Sequence, residues 1–211
     1  MSQGVWEKVI DSKGIIVYTR PVEGSSFREF KGITLIDASM EIIAEVLRDI
    51  ENYPAWVADI LEARVIRRID RDNMIIYLLQ GTSWPISNRD MVINVTTQNN
   101  YEKGRATISF VAIQCAEMPE KAGIVRVPMM QGMYLLEYVS RNKTRVTYSV
   151  KSDPGGSIPA TIANMASKEY PYKTLLGMQK MVSLEKYIQT ARQSEDKKKI
   201  DEAVRRGLLS E

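Results

Sequence analysis

An arginine placed among apolar neighbours is the side chain of this sequence best suited to bind a charged or polar group. Residues 84–95 read Trp-Pro-Ile-Ser-Asn-Arg-Asp-Met-Val-Ile-Asn-Val. Alternate residues of an extended chain share one face, so Arg89 is predicted to lie in line with Met91, Ile93 and Val95. A guanidinium among apolar side chains needs a partner, because an unpaired buried charge is strongly unfavourable. Arg89 is therefore predicted to bind a ligand group, to pair with a carboxylate of the protein, or to turn outward.

The residue inventory excludes several other kinds of site. The chain has no histidine and a single cysteine, Cys115, which excludes a Cys/His metal site, an internal disulfide and a histidine general base. We find no nucleophile–base pair, phosphate-binding loop or paired-carboxylate spacing in the sequence. We therefore predict no catalytic residue, no metal and no cofactor.

The composition is that of a folded globular chain. Its 211 residues are 44% hydrophobic and 26% charged, which predicts one domain with a sizeable core. The net charge of +3, from 29 basic and 26 acidic residues, allows weak, transient contact with anionic membrane surfaces and does not require nucleic acid. The sequence shows neither a signal peptide nor a run of about 18 apolar residues. We expect a cytoplasmic monomer without nucleic-acid partners, unless a leader segment has been removed.

The pattern up to about residue 152 predicts a mostly antiparallel β-sheet. Apolar and polar residues alternate, and Gly, Asn, Asp and Pro separate the runs. One helix interrupts the series, because Ser39 is a suitable N-cap and residues 40–50 carry an apolar stripe. The predicted strands are 7–11, 15–20, 27–36, 61–70, 74–80, 89–98, 105–113, 124–126, 132–140 and 144–152.

The last third of the chain has a helical pattern instead. The turn cluster Asp-Pro-Gly-Gly-Ser-Ile-Pro at 153–159 ends the sheet and opens a long helix. Pro171 lies within the apolar stripe of that helix and predicts a kink, because proline lacks the amide donor and crowds the carbonyl four residues back. Residues 195–211 alternate acidic and basic runs, which predicts a solvated helix or a frayed tail. We therefore divide the chain into a domain over 1–191 and a charged extension over 192–211.

These elements predict an α+β fold in which a curved antiparallel sheet packs against the long C-terminal helix. Such layers can pack solidly or enclose a cavity, and the pattern alone does not decide between them. Methionine side chains adapt to irregular surfaces, so the methionines near the presumed interface either fill a core or line a cavity. They are Met129, Met130, Met133, Met165, Met178 and Met181.

Four segments carry a resemblance to a known family. They read Phe-Arg-Glu-Phe-Lys-Gly at 27–32, Trp-Pro-Ile-Ser-Asn-Arg-Asp at 84–90, Glu-Met-Pro-Glu-Lys-Ala-Gly-Ile-Val-Arg at 117–126 and Asp-Pro-Gly-Gly-Ser-Ile-Pro at 153–159. In this order and spacing, and together with the Asn-Tyr-Pro-Ala-Trp turn at 52–56, they resemble the START family, the StAR-related lipid-transfer domains with a helix-grip fold. The resemblance covers nearly the whole chain. It implies an internal hydrophobic tunnel between the sheet and the C-terminal helix that holds one lipid.

The resemblance gives Arg89 a specific setting. In family members the matching arginine lies within the tunnel, and it often pairs with an acidic residue of the preceding strand or contacts a polar part of the ligand. That strand, residues 74–80, contains no carboxylate here. Arg89 is therefore left to bind a ligand anion or carbonyl, or to pair with a carboxylate from elsewhere, such as Glu29 or Glu137.

The other candidate residues are aromatic, methionine and turn residues, for which a place in the core or in a fixed turn is the alternative. The predicted ligand-binding residues are Arg89, Tyr77, Trp84, Met91, Tyr53, Trp56, Met130, Tyr134, Ile162 and Met165. The resemblance places the loop at 117–131 near the tunnel mouth, which predicts a gate and a membrane-touching surface there. The turn at 153–156 is predicted to be a hinge for the C-terminal helix. The predicted gate residues are Met118, Pro128, Met129, Asp153, Gly155 and Gly156.

We therefore expect a protein that binds a single lipid or other hydrophobic small molecule and carries or presents it at membranes. Two other functions stay open. One is a cyclase or dehydratase acting on a polyketide-like substrate, since related helix-grip folds do this in a similar cavity; it would have to use Asp, Glu, Tyr or Arg. The other is a ligand-sensing interaction domain that signals through its helix or charged tail.

Overall fold

The computed structural model describes residues 4–83 and 85–211, and their largest feature is a single, mainly antiparallel sheet. The runs of alternating residues form its strands, as the sequence predicts. The sheet order is β1-β2-β3-β10-β9-β7-β6-β5-β4, and the short β8 pairs with β6 in parallel. The strands are β1 (Glu7–Ser12), β2 (Ile15–Arg20), β3 (Glu29–Ile36), β4 (Ile60–Arg68), β5 (Asn73–Gln80), β6 (Arg89–Asn100), β7 (Arg105–Ala112), β8 (Val125–Arg126), β9 (Met129–Ser140) and β10 (Lys143–Asp153).

Five α-helices accompany the sheet in the described part of the chain, and most follow it in sequence. They are α1 (Met40–Arg48), α2 (Ala160–Ser167), α3 (Glu169–Met181), α4 (Glu185–Gln193) and α5 (Glu195–Arg205). None of these helices is long and apolar enough to cross a membrane. The predicted α+β class, with C-terminal helices packed on an antiparallel sheet, is confirmed.

The core lies between the sheet and α3. Leu175 and Met178 of α3 are completely buried in it. Helix α3 comes close to β3 because Gly32 has no side chain there: a Cβ at Gly32 would lie 2.7 Å from Leu175 Cδ1. Close approach of this kind gives the dense packing that protein interiors require. The sheet and α3 therefore form a solid layer along most of their length.

The predicted kink at Pro171 is present as a break between two helices. Helix α2 ends at Ser167 and α3 begins at Glu169, so Pro171 is the third residue of α3. Proline fits the first turn of a helix, where the amide has no intrahelical partner. Deeper in a helix it cannot donate to the carbonyl four residues earlier, and its ring collides with that carbonyl. Lys168 separates the two helices.

The expectation of a solvated or frayed C-terminus requires correction. Helix α5 has a buried face formed by Ile200, Ala203 and Val204, and the carboxylate of Asp196 is buried with them. These apolar residues lie three or four positions apart, which is the spacing of one helical face. This apolar stripe is narrow and lies among many charged residues, so the sequence pattern indicates solvation rather than burial. Residues 195–205 are nevertheless a packed part of the fold.

Replacing the N-cap of α5 gives a first measurable prediction. The Ser194 hydroxyl oxygen accepts a hydrogen bond from the Lys197 amide at 3.1 Å. We expect Ser194→Ala to lower the free energy of unfolding by about 1 kcal/mol, and Ser194→Gly by only a few tenths, because glycine adapts to the N-cap without a side-chain acceptor. Urea denaturation followed by circular dichroism measures both. An unchanged stability of Ser194→Ala would show that the hydroxyl does not cap α5.

Candidate functional site

A cavity of about 820 Å³ lies between α2 and the adjacent end of the sheet. Two apolar side chains at its wall, Leu61 and Ile162, are 57% and 45% exposed, so the cavity reaches the surface beside them. The strand ends supply one wall, and α2 with the start of α3 supplies the other. Its lining includes Phe27, Arg28, Phe30, Asp59, Leu61, Gln80, Thr82, Ile86, Asn88, Arg89, Val127, Met130, Val150, Ser152, Ile158, Ile162, Ala163, Asn164, Tyr170 and Lys173.

Arg89 lies in the wall of this cavity, with the alternation that the sequence predicts. It begins β6, and Met91, Ile93 and Val95 follow it into the core on the same face. Arg89 is 4% exposed, and Nη1 donates a hydrogen bond to the Ser87 carbonyl. Its Nε has no hydrogen-bond partner within the described residues. Burial lowers the pKa of the guanidinium from its usual value, because a charged group loses hydration there.

The carboxylates that could have neutralised Arg89 are engaged elsewhere. Glu29 pairs with Arg20 at 2.6 Å, and Glu137 pairs with Arg105 at 2.7 Å. No carboxylate of residues 4–83 or 85–211 lies within 4.0 Å of the Arg89 guanidinium. The predictions that Glu29 or Glu137 pairs with Arg89, or that Arg89 turns outward, are therefore corrected. Among the described residues, the Arg89 guanidinium is thus a buried cation without a carboxylate partner.

Asp90, the neighbour of Arg89 in sequence, belongs to a buried ion pair that the sequence did not reveal. Its two carboxylate oxygens accept from Arg126 Nε at 2.7 Å and from Nη2 at 3.0 Å. Pairing between β6 and β8 sets Asp90 directly beside Arg126. The hydrogen bonds to Asp90 raise the pKa of Arg126 against the opposing effect of burial. This two-point ion pair on the outer face, here called the Asp90–Arg126 fork, holds Asp90 in place next to Arg89.

Comparison with known proteins decides what kind of domain this is. The START domain family matches residues 1–183, which include the sheet and α1 to α3. The chain belongs to the START domain family. Domains of this family typically bind lipids or other hydrophobic ligands. Helices α4 and α5 lie beyond the matched residues.

Individual relatives agree with this assignment. The chain is similar to the crystal structure of a STAR-related lipid transfer protein fragment from Xanthomonas axonopodis, with 32% identity and a TM-score of 0.78, over 85% of this chain and 99% of that chain. An uncharacterised protein of Pseudomonas aeruginosa is 31% identical over 82% of this chain and 84% of its own length. The phosphatidylcholine transfer protein of Rattus norvegicus is 24% identical over 77% of both chains.

The START domain places the predicted ligand-binding residues in four different settings. Arg89, Met130 and Ile162 line the cavity, whereas Met91, Tyr53, Trp56 and Tyr134 belong to the packed core or its edge. Met165 is 62% exposed and does not line the cavity. Trp84 lies outside the described residues. These core residues and Met165 are therefore not in the wall of this cavity.

Tyr77 lies on the face of β5 that points away from the cavity. It pairs with Val92 on the opposite side of the sheet from the cavity, where it is completely buried against Met118. Its neighbour Leu78 pairs with Met91 and faces the core. The segment at 113–124 covers this outer face, so both faces of β5 are buried and alternation in polarity gives no warning of which face a residue takes.

The predicted gate residues are also divided. Met118 packs on the outer face, away from the cavity. Met129 and Asp153 pair with each other at the ends of β9 and β10, so sheet hydrogen bonds hold both. Pro128 lies against Gly155, where a Cβ would come within 2.8 Å of Pro128 Cδ. The turn that follows β10 and leads to α2 is therefore the part of the predicted gate that borders the cavity.

That turn owes its shape to consecutive glycines. Gly155 and Gly156 have φ angles of 65° and 67°, in the left-handed region that residues with a Cβ rarely adopt. The Asp153 carboxylate accepts the Gly155 amide at 2.9 Å and completes the turn. Gly156 also lies next to Arg89, since a Cβ there would lie 3.7 Å from Nη2, an ordinary van der Waals distance. Turn and guanidinium thus share one corner of the cavity.

Several lining residues were missed by the sequence reasoning. Phe27, Phe30, Val150, Tyr170 and Lys173 come from elements that are distant in sequence and meet only through the sheet order and the break before α3. Phe27 and Phe30 lie within one of the four family-like segments, which was the available signal. Nothing local distinguished Tyr170 or Lys173 from other residues of an amphipathic helix.

Proposed function

We propose that this START domain binds a single lipid or other hydrophobic molecule in the cavity and carries it between membranes. One observation supports this most strongly: a cavity of about 820 Å³ whose walls are partly apolar and partly polar, and which has a buried Arg89 without a protein carboxylate among the described residues. The volume is in the range of pockets that enclose small-molecule ligands. The apolar parts of the walls suit a hydrocarbon chain, and the guanidinium suits a polar end.

The energetics are adequate for stable occupancy. Burying each methylene group of a ligand contributes roughly 0.8 kcal/mol, so a long chain compensates for the cost of immobilising the molecule. We further propose that the ligand leaves chemically unchanged, since transfer requires only burial and release.

Entry and release are proposed to involve α2 and the turn before it. Gly155 and Gly156 accept large changes of backbone angle and can act as a hinge. Ile162 of α2 and Leu61, both in the cavity wall, are exposed, and such side chains insert favourably into the surface of a bilayer. Contact of α2 with a membrane would open the cavity at the place where the ligand must pass.

Blocking the cavity tests this function. Ala163 is a buried residue of α2 in the cavity wall, so Ala163→Trp places a large ring in the ligand's space. We expect at least about a tenfold loss of bound lipid at a stability cost of about 1–3 kcal/mol. Native mass spectrometry after incubation with vesicles of phosphatidylcholine, phosphatidylglycerol and palmitate measures occupancy, and thermal unfolding measures the cost.

The matched control is Met165→Trp on the same helix. Its side chain is exposed and outside the cavity wall, so lipid occupancy should stay at the wild-type level. If Ala163→Trp retained as much lipid as Met165→Trp, the cavity would not be the binding site. If the wild-type protein retained none of the vesicle lipids, the proposed function would be wrong.

A further inference from the structure

We propose that the ligand is a single-chain lipid acid, one hydrocarbon chain ending in a carboxylate, rather than a diacyl phospholipid. This inference rests on the proposed lipid-binding function and narrows it to one class of ligand. Two features of the cavity carry it: its size, and Arg89, through both its charge and the geometry of its donors.

The size of the cavity favours one chain. At about 30 Å³ for each water-sized group, 820 Å³ holds roughly 27 such groups. A single-chain acid of eighteen carbons has about 20 non-hydrogen atoms, whereas a phosphatidylcholine with two sixteen-carbon chains has about 50. Part of the volume lies at the open side next to Leu61 and Ile162, so the enclosed space is smaller still. A diacyl lipid would leave about half of its atoms outside.

The charges of the wall favour an anion. Its charged residues are three cations, Arg28, Arg89 and Lys173, and one carboxylate, Asp59. Arg28 and Lys173 already pair with Glu7 and Glu169. Arg89 is the cation of this wall that lacks a carboxylate partner within the described residues. A ligand with a negative end would compensate the buried charge, while a neutral ligand would leave it uncompensated.

The geometry of Arg89 favours a carboxylate. Nη1 is used by the Ser87 carbonyl, Nε is buried without a partner, and Nη2 lies near Gly156, so a ligand would reach this edge when the Gly156 turn moves aside. The Nε and Nη2 donors form one planar edge, and such an edge matches the two oxygens of a carboxylate. A carboxylate bound at this edge would accept a hydrogen bond from the unpaired Nε and would also neutralise the charge of the guanidinium.

Matched probes test the proposal on lipid-depleted full-length protein. Palmitate and hexadecanol have the same chain length and differ in the charged end, and dipalmitoylphosphatidylcholine adds the second chain. We expect palmitate to bind in a 1:1 ratio and at least about tenfold more tightly than hexadecanol, the factor typical of a charge-assisted hydrogen bond. Isothermal titration calorimetry measures the two single-chain probes. Native mass spectrometry after incubation with vesicles measures phosphatidylcholine, which should not be retained.

Arg89→Met removes the charge and leaves no carboxylate unpaired. We expect it to weaken palmitate binding by at least about tenfold and to change hexadecanol binding by less than about threefold. Arg89→Lys keeps the charge without the planar edge, and should fall between wild type and Arg89→Met. Thermal unfolding checks that each variant is folded.

The outcomes separate this inference from the broader function. Equal binding of palmitate and hexadecanol by the wild type would overturn the proposal that the ligand ends in a carboxylate. Retention of phosphatidylcholine as strong as that of palmitate would overturn the proposal that the ligand has a single chain. Lipid binding itself would stand in both cases. An unchanged palmitate affinity in Arg89→Met would overturn the role of the guanidinium. Binding of none of the three probes would contradict the proposed function as a whole.

Discussion

Asp90→Asn is expected to lower the free energy of unfolding by about 3–5 kcal/mol, the cost of removing one member of a buried ion pair. The substitution keeps the size of the side chain and removes its charge. Arg126, whose side chain is only 13% exposed, is then left as a buried cation without a carboxylate. Because β8 is only two residues long, little other pairing holds it beside β6. The loss should therefore also loosen the strand end that carries Arg89.

Urea denaturation at neutral pH measures this effect, and an exposed ion pair of the same sheet is the control. Glu137→Gln breaks the pair with Arg105, which is 58% exposed, and should cost less than about 1 kcal/mol. In the double variant Asp90→Asn/Arg126→Met the unpaired charge is gone, so much of the stability should return. A loss for Asp90→Asn no greater than that for Glu137→Gln would contradict the structural role assigned to the fork.

The features that sequence predicted correctly depend on local geometry. The shared face of Arg89, Met91 and Ile93 follows from the two-residue period of a strand, whatever that strand pairs with. The break before α3 follows from Pro171, whose ring is incompatible with a helix that continues from four residues before. Both inferences need only the chain near the residue in question, and both are present in the structure.

The wrong assignments arose where a distant segment covers a surface. Alternation separates core from solvent only when one face of a strand is wet. Residues 113–124 cover the outer face beside β5 and β6, so Tyr77, Asp90 and Val92 are as buried as the residues facing the core. No pattern within β5 or β6 could show this, because the covering segment lies some 25 to 40 residues further along the chain.

The sequence was sufficient to predict Arg89 as a candidate site residue, but not the residues that form the cavity wall around it. Arg89 stood out because a cation on an apolar face is a conflict that requires a reason. Its surroundings depend on the strand order, which brings Phe30 of β3, Val150 of β10 and Tyr170 of α3 to one cavity. Aromatic and apolar residues at such positions look the same in a sequence whether they fill a core or line a cavity, because the same property serves both.

The C-terminal helix shows the same limit for charges. A run rich in Lys, Glu and Asp normally indicates solvation, yet Asp196 within that run is 3% exposed. Its partners Arg48, Arg71 and Tyr101 contact it at 2.6 Å each, and they lie roughly 95 to 150 residues earlier in the chain. Long-range ion pairing, rather than local propensity, decides that α5 is part of the fold.

We expect Asp196→Asn to lower the free energy of unfolding by about 3–5 kcal/mol, because Arg48 loses its buried carboxylate and α5 loses its main polar attachment. Arg48 has a further partner in Glu45, at 2.9 Å, which places the expected loss nearer the lower value. Glu195→Gln is the matched control on the same helix turn. Its carboxylate is half exposed and lies 3.6 Å from Lys198, so the loss should stay below about 1 kcal/mol.

The pH dependence of this loss identifies the carboxylate as its cause. Burial alone would raise the pKa of Asp196, but Arg48, Tyr101 and Arg71 outweigh burial and hold that pKa below the ordinary value of 3.8. A carboxyl with a lowered pKa in the folded state stabilises the fold above its unfolded pKa, and this contribution disappears as the pH falls through the folded pKa. The difference between wild type and Asp196→Asn should thus be constant near neutrality and shrink below about pH 4. Urea denaturation series at pH 7, 5, 4 and 3 measure it, and a difference that persisted unchanged at pH 3 or was absent at pH 7 would show that the charge of Asp196 does not hold α5 in place.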